Sequence, residues 1–197
     1  MCVPVCTVVE QNPYCPATFG RTPTALPYLG DNRASLSPNN RFICDGDVTA
    51  INYYQGGGGG AASGTTFIGI WEQLRGEQFV LKHKVRLPAG AVGLQRHELA
   101  TPLPFKRGDF LGIHYSSDAA TALISSARAD DIDVPANELN SVLFVNLNDD
   151  DLVPGQQISI SNRDVRFEPR AFALEAELQY DVTHATTGRR CLYVCSS

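Results

Sequence analysis

The sequence predicts an all-β domain: an antiparallel β-sandwich, jelly-roll-like, with an extended Pro-rich N-terminal arm and disulfide-stapled termini. Three observations predict it. Short β-rich runs recur along the chain, separated by turns rich in Gly and Pro. Residues 172–180 alternate apolar and polar with period two, as a strand with one buried and one wet face does. Each end of the chain carries two cysteines four residues apart, Cys2 and Cys6 in CVPVC and Cys191 and Cys195 in CLYVC. Residues four apart on a strand share a face. An antiparallel pairing of the two ends would set Cys2 against Cys195 and Cys6 against Cys191, leaving Cys15 and Cys44 to close a loop. Pro4 would confine the first segment to a sheet edge.

The elements follow in order. Residues 7–41 are punctuated by Pro13, Pro16, Pro23, Pro27 and Pro38, and no helical or strand period survives. They read as an extended arm covering a sheet, so the expected organisation is an arm over 1–41 and a sandwich over 42–197, closed by the Cys191/Cys195 strand. Strands are expected at 48–54, 67–71, 78–81, 84–87, 110–115, 122–124, 142–145, 158–160 and 172–180. Helix propensity competes over 171–178, but the alternation favours a strand. Five consecutive glycines, 56–60, form a loop between two strands. A phosphate-cradling loop would need a helix start downstream, and here the β-rich Thr65-Thr66-Phe67 follows.

The chain has 197 residues, enough for one domain with a full core. Its net charge of -5 gives no electrostatic case for nucleic acid or an anionic membrane. No apolar run reaches the ~18 residues of a membrane span. Six cysteines in a pattern that clips the ends indicate an oxidising, extracellular setting, although six allow 15 pairings. Zinc pairs usually use C-x2-C or C-x4-C spacing on knuckles, so C-x3-C with valines inside fits poorly, and the absence of C-x-x-C gives no support to a thioredoxin-like redox site. Met1 precedes Cys2 directly, which reads as a mature chain whose leader has been removed or replaced by an initiator Met. The chain has no N-x-[ST] sequon.

Candidate chemistry is sparse. Arg107-Gly108-Asp109 is the integrin-recognition tripeptide, hence a candidate adhesion ligand; the following Phe110 makes a turn into a strand the competing reading. Two acidic runs, Asp130, Asp131 and Asp133 and then Asp149, Asp150 and Asp151, are candidate Ca2+ ligands, since calcium takes six to eight oxygens. If 141–147 is one strand, about 23 Å separates the runs, too far to share one ion. Trp71, the one tryptophan, is a core residue or a sugar-stacking platform. An enzyme would need at least two of His83, His97 and His114 to converge in a pocket with a carboxylate; neither H-x-H nor H-E-x-x-H occurs, and His184 completes the set. Ser125-Ser126 lies in no G-x-S-x-G elbow.

Residues 45–115 resemble a β-sandwich module of extracellular marine-invertebrate proteins, including matrix and polycystin-like proteins. The resemblance rests on Gly46-Asp47-Val48-Thr49, Tyr53-Tyr54, Phe67-Ile68-Gly69-Ile70-Trp71, Gln78-Phe79 and 107–115, about a third of the chain. It implies an extracellular, non-enzymatic building block and carries over no functional residues. The polyglycine insert and the cysteine-bearing ends depart from it. The expectation is therefore a secreted or cell-surface structural or binding module, not an enzyme. Its partners would be an extracellular protein, a glycan or further copies of itself. A Ca2+-dependent carbohydrate-binding domain is the alternative, and an RGD-type adhesion ligand the third reading.

Overall fold

The computed structural model describes residues 15–29, 34–56, 65–115, 124–128, 140–147, 152–161 and 163–180. It also describes the backbone of two end strands, β1 (Cys2–Val9) and β15 (Gly188–Cys195). The other strands are β2 (Thr18–Gly20), β3 (Tyr28–Leu29), β4 (Ala34–Arg41), β5 (Gly46–Gln55), β6 (Thr66–Arg75), β7 (Gln78–Leu87) and β8 (Gly93–Phe105). They continue with β9 (Phe110–Tyr115), β10 (Ser125–Arg128), β11 (Asn140–Val145), β12 (Gln157–Ser159), β13 (Val165–Phe172) and β14 (Leu174–Gln179).

Two antiparallel sheets pack face to face, consistent with a β-sandwich. The larger runs β12-β7-β6-β9-β4-β11-β13-β10-β3 and the smaller β2-β14-β5-β8. Ile68, Ile70, Leu111, Ile113 and Tyr115 of the larger sheet meet Val48, Ile51, Tyr53, Leu99 and Ala176 of the smaller in one core. A second core contains Leu36, Trp71, Phe79, Leu81, Phe110 and Leu143 with Leu147, Leu152, Ile158 and Ile160. The last four lie on the excursion from β11 to β12, at the far edge of the sheet, and back towards β13. Gly155 N donates to Leu81 O at 2.8 Å and Ile160 N to Glu77 O at 3.1 Å, pinning that excursion.

Two expected strands, 78–81 and 84–87, are one. Ile70 pairs with His83 and Trp71 with Leu81, so Lys82 is the extra residue of a β-bulge. The bulge switches the face on which the apolar residues lie. Phe79 and Leu81 enter the second core, whereas Leu87 and the half-buried Val85 join the first.

The expected strand at 172–180 is instead two. Phe172 ends β13 in the larger sheet, Ala173 bends, and Leu174 opens β14 in the smaller. Ala173 has no exposed surface and donates to Ser125 O at 3.0 Å, so a small residue makes the crossing. Residues 34–41, expected in a covering arm, form a central strand between β9 and β11. β4 departs from regular pairing between Leu36 and Arg41, where Pro38 stands. Of the expected 122–124 run, only Ile124 is described, bridging to Gln55. β8 and the greater part of β13 were not anticipated: Pro102, Pro104 and Pro169 and the many polar residues hide their alternation.

The end strands pair as their cysteine spacing predicts. β1 and β15 form an antiparallel ribbon with Cys2 opposite Cys195 and Cys6 opposite Cys191. Directly opposed residues in such a ladder have Cα atoms about 4.5–5.5 Å apart, within disulfide range. Cys15 and Cys44 form a disulfide with Cα atoms 5.9 Å apart.

Candidate functional site

The Arg107-Gly108-Asp109 tripeptide folds as the tight turn into β9. Gly108 takes φ +95°, which glycine adopts without strain. Asp109 N donates to Lys106 O at 3.0 Å, and Asp109 Oδ2 accepts from Lys106 N at 2.7 Å. Gly108 N donates to Phe42 O and Phe42 N to Asp109 O, each at 2.8 Å. Asp45 holds the turn from outside, accepting from Arg107 N at 2.8 Å and from Lys106 Nζ at 3.0 Å. Arg41 Nη1 donates to Gly108 O at 2.9 Å, and its Nη2 hydrogen-bonds Gln73.

Asp109 itself is 2 % exposed. Its carboxylate meets Lys82 Nζ, the bulge residue, at 2.7 Å. An adhesion ligand must present that carboxylate to a receptor; here it is buried, paired and capping its own turn. The geometry therefore overturns the assignment of Arg107, Gly108 and Asp109 as a binding motif. Lys82 was not singled out from sequence, because only the bulge aims it at Asp109.

Trp71 is 2 % exposed and cannot serve as a stacking platform. Two glycines seat its indole. Gly69 pairs with Gly112 across β6 and β9. A Cβ on Gly112 would lie 2.7 Å from Trp71 Nε1 and from Leu36 Cδ2, and one on Gly69 would lie 2.7 Å from Trp71 Nε1 and from Leu81 Cδ1. Tyr53 and Tyr115 are buried as well, and the Tyr53 hydroxyl donates to Pro88 O at 2.7 Å. The sugar-platform expectation is corrected: the slot made by the glycines draws the ring into the core.

The acidic residues Asp130, Asp131, Asp133, Asp149, Asp150 and Asp151 lie outside the described residues. In the sequence the two runs stand on either side of β11, whose six residues span roughly 17 Å. Among the described residues no group of three or more His, Cys, Asp or Glu is placed to hold a metal ion.

The described histidines do not converge. His83 and His114 lie on β7 and β9, on either side of β6, paired with Ile70 and Phe67 respectively, three residues apart and so on opposite faces. His97 belongs to the smaller sheet, opposite Ile51. Burial, then the adjacent Lys82, lowers the pKa of His83, with Asp109 opposing. His184 is outside the described residues.

Two features were not legible in the sequence. A shallow recess opens between the sheets at the irregular part of β4, with Leu111 and Phe172 below and Arg21, Ser37 and Asn40 at its rim. The other is a charged row across the smaller sheet. Arg96 donates through Nε and Nη2 to both carboxylate oxygens of Glu177 at 2.8 Å, and its Nη1 reaches Glu98 at 3.3 Å. Asn52 Nδ2 donates to Glu177 Oε1 at 2.9 Å. The Arg96 guanidinium, then Asn52, holds the Glu177 carboxyl down at about 2, and the Glu177 carboxylate, then Glu98, raises the pKa of Arg96. Among the described residues no helix is long and apolar enough to cross a membrane. No protein-family model, curated protein or solved structure matches this chain.

Proposed function

We propose that this chain is a secreted or cell-surface structural or binding module, not an enzyme, held in shape by disulfides. The observation that carries the reading is the register of the end strands, which opposes Cys2 to Cys195 and Cys6 to Cys191. A cytosolic protein gains nothing from cysteines aligned this way, because the glutathione pool keeps them reduced. The Cys15–Cys44 disulfide, which closes a separation of 29 residues, supports the same compartment. The chemistry in view is that of a scaffold: a turn carboxylate buried against a bulge lysine, a seated tryptophan and a charge row across a sheet, with the described histidines dispersed.

The module would serve as a bead with paired ends in a larger extracellular assembly. The test is expression by two routes. Exported through an oxidising compartment, the protein should be folded and free of thiols, and reduction should lower its melting midpoint by ten degrees or more, as expected for losing several bridges worth about 2–5 kcal/mol each. Cytosolic protein with all thiols reduced and the same midpoint would overturn the proposal.

A further inference from the structure

β8 ends the smaller sheet, and among the described residues no strand pairs with its outer edge. Sheet edges are usually blunted by proline, bulges or charge. The second half of β8 is blunted in this way: four residues, 99–102, stand against the single Thr49 of β5, and Pro102 and Pro104 follow. The first half, 93–98, keeps regular pairing with β5 and has no proline. On its outer face lie Leu94, Arg96 and Glu98, with Leu94 65 % exposed.

We propose that the regular edge of β8 pairs antiparallel with that of a second copy of this chain about a two-fold axis at His97, so that residues 96–98 of the two copies oppose each other. The proposal deepens the reading of the chain as a unit of an extracellular assembly, and rests on it. Charge complementarity under two-fold symmetry selects the register. Two identical antiparallel strands are related by a two-fold axis perpendicular to the sheet. That axis keeps outward side chains opposite outward ones, so the two opposed residue numbers must sum to an even value. Centred on residue 96 or on residue 98, the register sets like charges against each other. Centred on residue 95, it sets Arg96 against a leucine. Centred on His97, it sets Arg96 opposite Glu98 of the partner subunit, and by symmetry Glu98 opposite Arg96 of the partner subunit.

The same register fits the existing row. Glu177 takes Nε and Nη2 of Arg96, whereas Nη1 reaches towards Glu98, whose side chain is 78 % exposed. The pairing would extend the four-stranded sheet to eight strands across the two copies.

The test uses the whole oxidised chain in sedimentation over a dilution series. The wild type should show a reversible monomer–dimer equilibrium. Glu98→Arg leaves the Glu177 contacts alone but turns two attractions into two repulsions, and should raise the dimer Kd roughly tenfold. His97→Cys should crosslink to a covalent dimer under mild oxidation, because the two positions face each other across the axis. Leu94→Cys should not, because its two copies would lie about 20 Å apart. A protein that stays monomeric up to about 1 mM would overturn the proposal. So would a dimer unmoved by Glu98→Arg whose His97→Cys form does not crosslink. A monomer with all its bridges intact leaves the proposed function standing, which separates the two failures.

Discussion

Lys82 Nζ lies 2.7 Å from Asp109 Oδ2, and it reaches that point because it is the unpaired residue of the β6–β7 bulge. An irregularity in one hairpin thus supplies the counter-charge for a turn from another part of the chain. The carboxylate is 3 % exposed and the ammonium 23 %, so the pair is partly desolvated at one end.

Asp109→Ala removes the carboxylate that caps the turn and leaves Lys82 only the more distant Glu72 carboxylate, 3.9 Å away. The expected cost is about 2–4 kcal/mol. Denaturant unfolding measures it; a change below about 0.5 kcal/mol would contradict the assigned role.

Gly112→Ala should destabilise by about 1–3 kcal/mol, since the added methyl meets Trp71 and Leu36 at 2.7 Å. Trp71 is the one tryptophan, so its fluorescence reports the seat directly. The emission should shift to the red in the variant, and an unchanged spectrum with full stability would refute the tight slot.

The sequence made this core half visible. The Gly69-Ile70-Trp71 run reads as a strand, yet nothing in it identifies Gly112 as the opposite wall, because the pairing of β6 with β9 sets Gly69 against a residue 43 positions further on. The turn at Gly108 was legible for the opposite reason: Gly, Asp and the following apolar run are all local. Period-two alternation found β14 but could not show that Ala173 carries the chain between sheets. β8 was missed because Pro102, Pro104 and its charged side chains resemble a loop. The charge row escaped notice altogether, since Arg96 and Glu177 are brought together only by β5 lying between their strands.

Glu177 should contribute to acid stability. Its carboxyl is held at about 2 against an ordinary value of 4.5. A depressed carboxylate stabilises the fold fully above its unfolded value, and that contribution is lost as pH falls from about 4.5 to about 2. The side chain is 32 % exposed, and solvent screening keeps the effect small. Urea unfolding of Glu177→Gln should fall less steeply with pH across this window than the wild type, and parallel profiles would exclude the contribution.

Cys15→Ser should cost about 3–4 kcal/mol, the chain-entropy value for a loop of this size. The measurement is the shift in thermal midpoint of the purified variant. A shift of less than one degree would mean that the bridge restrains nothing.

Excess Ca2+ against EDTA should leave the thermal midpoint unchanged. A site loaded at about 100 times its Kd would add roughly 2.7 kcal/mol, a shift of several degrees. Such a shift would point to the acidic runs, which lie outside the described residues, as ligands.

The central claim is that the chain is stapled end to end. Peptide mapping of the unreduced protein, with fragmentation able to separate cysteines on one peptide, tests it most directly. The account predicts Cys2 joined to Cys195 and Cys6 joined to Cys191, beside Cys15–Cys44. Bridges within each end, Cys2 to Cys6 and Cys191 to Cys195, or four free thiols, would contradict it.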